Sequence, residues 1–351
     1  MVKVPLRDCK RAVGRAIAQG SLPRAFENYV NKLCEGAVRG RDLEAFKTLD
    51  EWIAWLSWAS VSLNENDYLL AAIHALRLAP KLAATDYGTS RQRDLGQLWT
   101  DTIRGFLGEI AFAKWLKQRF GIFIELDYRR GPLREFLPSD IRAVEIRGMK
   151  RAPRINISIK TTKLRGVWLD IPYEQIQHSD AFILVRLGIT REHFVAFLKK
   201  ISAIRDKILA KARELGIISE DEIPEIWNSV PEFMEIPAYI AGFLLKEEFK
   251  DAVKSKDIVV AEGKAKPRKR RGRRYLVITI DKYLGFWEPG NSIYEGRIQK
   301  LFESQIEPYK SLPVKIEFQS IGEFSETLHF LASSGVLKRH QNEWSMLISL
   351  L

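Results

Sequence analysis

The chain has 351 residues, of which 46% are hydrophobic and 28% charged, enough to bury at least one full core and to form two or three modules. Its apolar runs, such as 181–187 and 237–245, are too short to span a bilayer, and the opening MVKVPLRDCK lacks the apolar stretch of a secretory signal, so a soluble cytoplasmic protein with no membrane partner is expected. Two cysteines, Cys9 and Cys34, exclude a disulfide framework and a thiolate zinc site and are expected to be small buried hydrophobes, while the net charge of +12 favours a polyanionic partner, nucleic acid above all.

Residues 1–94 read as a helical N-terminal domain, with apolar residues at three- and four-residue spacing separated by Gly, Pro or Asn. Trp52, Trp55 and Trp58 recur every three residues, the pattern of one buried helix face. LAATDYGTSRQRD, with Arg91 and Arg93, reads as a linker or a nucleic-acid-facing loop. A helix from about Leu95 to Phe120 follows, with Gly121 placed to terminate it. GIFIELDYR reads as a strand, RRGPLREFLPS as a turn-rich connection, and DIRAVEIR and RINISIKTT as the arms of a hairpin around GMKRAP. IPYEQIQHSD is helical or irregular. AFILVRLGI reads as a central strand covered on both faces, and HFVAFL as a further short strand. The spacing from Ile201 to Phe249 is helical, interrupted by prolines. DIVVAEG and RRYLVITID form a second hairpin whose long loop is the basic tract Lys264–Arg274, eight Lys or Arg with no acid. VKIEF is strand-like, SETLHFLASSGVL helical, and NEWSMLISLL a strand or helix. The expected organisation is a helical domain at 1–94, a core at 95–262 with a helical insertion at about 201–249, and a C-terminal α+β extension at 263–351.

Three polar residues stand at the edges of apolar runs: Glu109, Asp140 and Lys160. Hydrolysis of a phosphodiester needs a divalent metal held by acidic oxygens, and a cation to orient water and offset transition-state charge. Asp140 opens one arm of the expected hairpin and Lys160 closes the other, so antiparallel pairing folds them to the same end. Ser158 and Lys160 share a face, and Ile159 points into the core with its carbonyl left for a metal.

GFLGEIAFAKWL, PSD and SIK resemble the motifs of the PD-(D/E)xK nuclease superfamily, over about Arg104 to Leu187. Pro138, Ser139 and Asp140 match its P-D element, and Ser158, Ile159 and Lys160 its D/E-x-K element. The resemblance implies an α/β fold with a restriction-endonuclease-like αβββαβ core, a mixed sheet and magnesium-dependent phosphodiester cleavage. Asp140 would be the bridging metal ligand and Lys160 the catalytic lysine. Ser139 is one residue more than the motif has, and Ser158 replaces its usual acid. Glu109 on the preceding helix is placed to supply the missing carboxylate. Glu145 is the rival, about 16 Å along the strand from Asp140 and on its other face.

KTTK followed by VWLDIPYEQIQHSDAFILVRL, with PAYIAGF later, is similar to the organisation of type II restriction endonucleases. These cleave duplex DNA as homodimers, which implies a cognate methyltransferase as functional partner. Arg268, Lys269, Arg270, Arg271, Arg273 and Arg274, with Lys150 and Arg151 near the hairpin turn, are the expected DNA contacts. The alternatives are a structure-specific recombination or repair nuclease on the same core and a non-catalytic DNA-binding protein.

Overall fold

The computed structural model describes residues 4–86, 94–128, 139–321 and 327–351. Pro138, Arg91, Arg93 and the turn-rich connection up to 138 lie outside them. The N-terminal region packs α1 (Leu6–Ala18), α2 (Val30–Arg39) and α3 (Leu49–Ala59), then a short strand β1 (Ser60–Leu63) and α4 (Glu65–Asp86). Trp52 and Trp55 are buried, so the Trp-bearing face of α3 belongs to the core, and Cys9 and Cys34 are both buried thiols. Strand β1 was not expected in a helical region, and it pairs antiparallel with a distant strand of the central sheet.

The middle of the chain runs α5 (Leu95–Phe120), β2 (Phe123–Leu126), β3 (Ile141–Ile146), β4 (Met149–Arg151), β5 (Ile157–Lys163), β6 (Trp168–Pro172), α6 (Tyr173–His178), β7 (Ala181–Leu187) and α7 (Glu192–Lys200). Short helices α8 (Ala210–Glu214) and α9 (Glu222–Ser229) lead to β8 (Ile236–Leu245). A four-stranded sheet has the order β1-β8-β7-β5, with β5 parallel to β7 and the other pairs antiparallel. Alternation divides its side chains: Phe182, Leu184, Tyr239 and Ala241 face one buried cluster, and Ile183, Val185, Ile240 and Phe243 the other, against α5.

The C-terminal part is α10 (Lys250–Ser255), β9 (Ile258–Arg270), β10 (Arg273–Trp287), α11 (Ser292–Leu301), α12 (Glu303–Ile306), β11 (Val314–Phe318), β12 (His329–Ser333) and α13 (Gln341–Ser349). Its sheet has the order β11-β10-β12-β6, with β9 on the free side of β10. The whole is a mixed α/β protein with helices packed on mixed sheets. Among the described residues no helix is long and apolar enough to cross a membrane.

Several elements differ from the reading of the sequence. The partner of β3 is β4, with Glu145 opposite Lys150, because Arg147 and Gly148 both take positive φ (52° and 78°) and close a two-residue turn. Strand β5 therefore does not fold back on β3 but joins β7. HFVAFL lies in helix α7, which buries His193, Ala196 and Phe197 at helical spacing. The helical reading of 201–249 fails at β8, and that of SETLHFLASSGVL fails at β12. Both are nearly continuous apolar runs whose periodicity cannot separate a buried strand from a buried helix. The basic tract is not a loop: Arg271 and Gly272, at φ 48° and 81°, close a tight turn and the cations continue both strands.

The modules are joined by a buried polar knot. Arg186 on β7, fully buried, donates from Nη1 to Asp42 Oδ2 at 2.7 Å and to Tyr239 Oη at 2.6 Å, and from Nη2 to Ser334 Oγ at 2.6 Å. Arg339 approaches the same Asp42 carboxylate at 3.4 Å. Asp42 thus ties the N-terminal helices to the central sheet and to the C-terminal segment.

Candidate active site

Helix α5 positions the first site residue through a close approach to β5. A Cβ added to Gly108 would lie 1.8 Å from Thr161 Oγ1, and Thr161 donates to the Gly105 carbonyl at 3.3 Å. Only glycine lets the helix backbone come this near the strand. The next residue, Glu109, is thereby carried to the place on β5 where Lys160 emerges.

The second element is the start of β3, where Ser139 does structural work. Its hydroxyl accepts from the N–H groups of Ile141 and Ile157, each at 3.2 Å, and donates to the Ile141 carbonyl at 3.0 Å. The Asp140 N–H donates to Ile157 O at 2.8 Å, and the Asp140 carboxylate accepts from Ile159 N–H at 2.5 Å. The side chain of Asp140 stands where a neighbouring strand would place a carbonyl, so β3 and β5 meet at this one point without forming a ladder. Asp140 and Lys160 are brought together as expected, by this junction and not by a hairpin. In an extended strand the N–H and C=O of one residue leave on the same edge, so the Ile159 carbonyl also faces the Asp140 side. The Ile159 side chain is buried in the cluster beneath.

Lys160 is half-buried and donates to the side-chain carbonyl of Gln175 on α6; the Gln175 amide donates in turn to Ser158 Oγ at 2.8 Å. Ser158 is buried. The serine in the motif's acidic position thus contacts the amide that holds the lysine.

The electrostatics follow from burial and mutual proximity. The Glu109 carboxyl is pushed well above its ordinary range, first by desolvation and then by the negative charge of Asp140, with Lys160 opposing and Asp127 adding to the rise. Asp140 is raised by desolvation, against the pull of Lys160, the Ile159 N–H and Ser158. Lys160 is lowered by desolvation, although Asp140, Asp170 and Glu109 each favour its charged form. Two carboxylates crowded in a site of low polarity with one depressed lysine form a pair that a divalent cation would relieve.

The fit to magnesium rests on this donor set, hard oxygens from Glu109, Asp140 and the Ile159 edge. Among the described residues no group of three His, Cys, Asp or Glu side chains is gathered tightly enough to hold a metal alone. The remaining positions would fall to phosphate oxygens and water, the usual arrangement for this ion.

Four nearby residues were not singled out in the sequence. Asp127, at the end of β2, donates its N–H to the Asp140 carbonyl at 2.9 Å and adds its charge to both acids. Gln175 is the third residue of α6. Asp170, a charged neighbour of Lys160, is paired with His329 at 2.7 Å. Tyr128 stacks on His74 at 3.7 Å, and its phenol is raised by burial and by the Glu109 charge, so an aromatic pair borders the Glu109 side.

The other expected residues lie elsewhere. Glu145 is at the far end of β3, opposite Phe123 and Lys150. Lys150 pairs with Glu125 at 2.5 Å, and Arg151 donates to the Leu351 carbonyl. Arg268 through Arg274 occupy the tip of the β9–β10 hairpin. No protein-family model, curated protein or solved structure matches the chain, so the functional reading rests on the geometry of this site.

Proposed function

We propose that the chain is a magnesium-dependent endodeoxyribonuclease with a restriction-endonuclease-like core, cleaving double-stranded DNA at specific sites as a homodimer in the manner of a type II restriction enzyme. The observation that carries this reading is the convergence of Glu109, Asp140 and Lys160 from a helix and two strands onto one partly desolvated point. The order α5, β2, β3, β5, α6, β7, with β4 and β6 interposed, supports the αβββαβ core in sequence, and the parallel pairing of β5 with β7 supports its mixed sheet. Strands β2, β3 and β4, however, form a separate three-stranded sheet that meets β5 at Asp140.

Asp140 and Glu109 would hold the ion, with the Ile159 carbonyl as a further oxygen. When bound, magnesium polarises the scissile phosphate and lowers the pKa of a coordinated water. Asp140 is kept in place by the Ile159 N–H, and Glu109 by the contact of Gly108 with Thr161. Lys160, aligned by Gln175, orients the attacking water and receives its proton, which its depressed pKa favours. The water oxygen bonds to phosphorus as the P–O bond to the leaving nucleotide breaks, and the departing oxygen takes a proton from solvent water, giving one phosphomonoester and one hydroxyl end.

The test is incubation of the purified chain with supercoiled plasmid and magnesium, beside an EDTA control. Discrete fragments support a site-specific enzyme and a smear a nuclease without sequence preference. Intact plasmid at every magnesium concentration argues for DNA binding without catalysis.

A further inference from the structure

We infer that the tip of the β9–β10 hairpin, residues 268–275, is an arm that enters the major groove of a B-form duplex. This deepens the reading of the chain as a DNA-cleaving enzyme by naming the element that engages the substrate away from the scissile phosphate.

Strand β11 pairs with β10 from Leu276 to Ile280, and β12 from Leu284 to Trp287, so among the described residues Arg273, Arg274 and Tyr275 have β9 as their one ladder partner. Beyond Leu276 the sheet continues as a bare two-stranded ribbon. The Arg271–Gly272 turn, with both residues in the left-handed region, keeps the ribbon's right-handed twist to its end. A ribbon of about four residues per strand reaches roughly 13 Å. A major groove is about 12 Å wide and 8.5 Å deep and admits such a ribbon.

The charges argue for a groove over a flat anionic surface. Arg268, Lys269, Arg270, Arg271, Arg273 and Arg274 are all exposed. Direct cross-strand pairing sets Arg270 opposite Arg273 and Lys269 opposite Arg274. Like charges facing each other across a ladder are destabilising. The first pair lies on one face of the ribbon and the second on the other, so both faces are cationic. A ribbon lying on a lipid or protein surface would need one charged face, whereas a ribbon between two phosphate walls needs two. At the base of the tip Arg268 pairs with Glu317 at 3.2 Å. The arginines also have the planar donor fork that reads guanine edges bidentately.

The test uses the full chain in EDTA, so that no cleavage enters the readout, with fluorescence anisotropy on a labelled 30-bp DNA duplex and on an RNA duplex of the same sequence. A-form RNA has a major groove too narrow for side chains to read. Wild type should bind the DNA duplex at least tenfold more tightly than the RNA. Arg270→Ser/Arg273→Ser, with thermal melting unchanged, should weaken DNA binding at least tenfold and reduce the slope of log K against log salt by about 2, one unit per lost phosphate contact. Equal affinity for the two duplexes, wild-type affinity in the double variant, or no DNA binding by wild type would each overturn the inference. Plasmid left intact in magnesium, with ribbon-dependent binding in EDTA, would instead overturn the nuclease reading alone.

Discussion

Lys160 donates an Nζ hydrogen to the side-chain carbonyl of Gln175, whose amide donates to Ser158 at 2.8 Å. The lysine is therefore held by a neutral partner that cannot compete with the acids for its charge. Gln175→Ala should lower kcat about 10- to 100-fold with little change in KM, the range found for groups that orient others at a metal site. Gln175→Glu places a carboxylate against Lys160, raises the lysine pKa and should move the pH–rate profile to higher pH. An unchanged kcat and profile in both variants would remove Gln175 from the mechanism.

Gly108 sets the distance between α5 and β5. Gly108→Ala drives a methyl group into Thr161 Oγ1 and should destabilise the fold by about 1–3 kcal/mol, the usual cost of overpacking. It should also displace Glu109 and reduce cleavage. Adding Thr161→Ala removes the nearest atom, so the double variant should recover part of both losses. A double-mutant cycle in urea, with non-additivity of at least about 0.5 kcal/mol, checks the contact.

Glu109 and Asp140 repel each other in a desolvated site, so neutralising one should stabilise the metal-free protein. Glu109→Gln and Asp140→Asn should each raise the Tm in EDTA by at least about 2 °C, the shift that corresponds to roughly 1 kcal/mol in a large domain. Both carboxyls titrate higher in the folded state than in the unfolded one. Folding then binds protons, and the stability this confers is complete below the unfolded pKa and lost as pH rises through the folded one. The advantage of each variant over wild type should accordingly grow from about pH 4 upward. Magnesium should raise the wild-type Tm and leave the variants nearly unmoved. Variants less stable than wild type in EDTA at pH 8 would contradict the arrangement.

Asp42 is the shared carboxylate partner of two buried guanidinium groups, and among the described residues its loss leaves Arg186 and Arg339 with no acidic partner. Asp42→Ala should cost about 3–5 kcal/mol in urea unfolding, as breaking a buried pair does. Lys211→Ala, which removes an exposed pair with Glu214, should cost under about 1 kcal/mol. Similar costs for the two would show that the knot is not structural.

Asp140, Ser158 and Lys160 were legible because the motif is local, and Glu109 because a Gly-Glu step inside an apolar helix is unusual. Gln175, Asp127 and Asp170 were not, since their roles depend on where α6, β2 and β6 arrive in space. Strands β8 and β12 were hidden because a fully buried apolar run has no second face to alternate with. The β3–β4 hairpin and the tight turn of the β9–β10 hairpin were hidden because each turns on an Arg-Gly pair, where the Arg carries no strong signal for positive φ. A lysine- and arginine-rich tract reads as a loop by composition, yet cross-strand pairing with β10 orders it.

In the proposed site the second metal carboxylate comes from helix α5, as Glu109. The direct measurement is single-turnover cleavage of duplex DNA over a magnesium titration by wild type, Glu109→Gln and Glu145→Gln. Glu109→Gln should lose at least about 100-fold in rate at saturating magnesium, as Asp140→Asn should, while Glu145→Gln should cleave like wild type. Wild-type cleavage by Glu109→Gln, or equal losses in the Glu109 and Glu145 variants, would contradict that assignment.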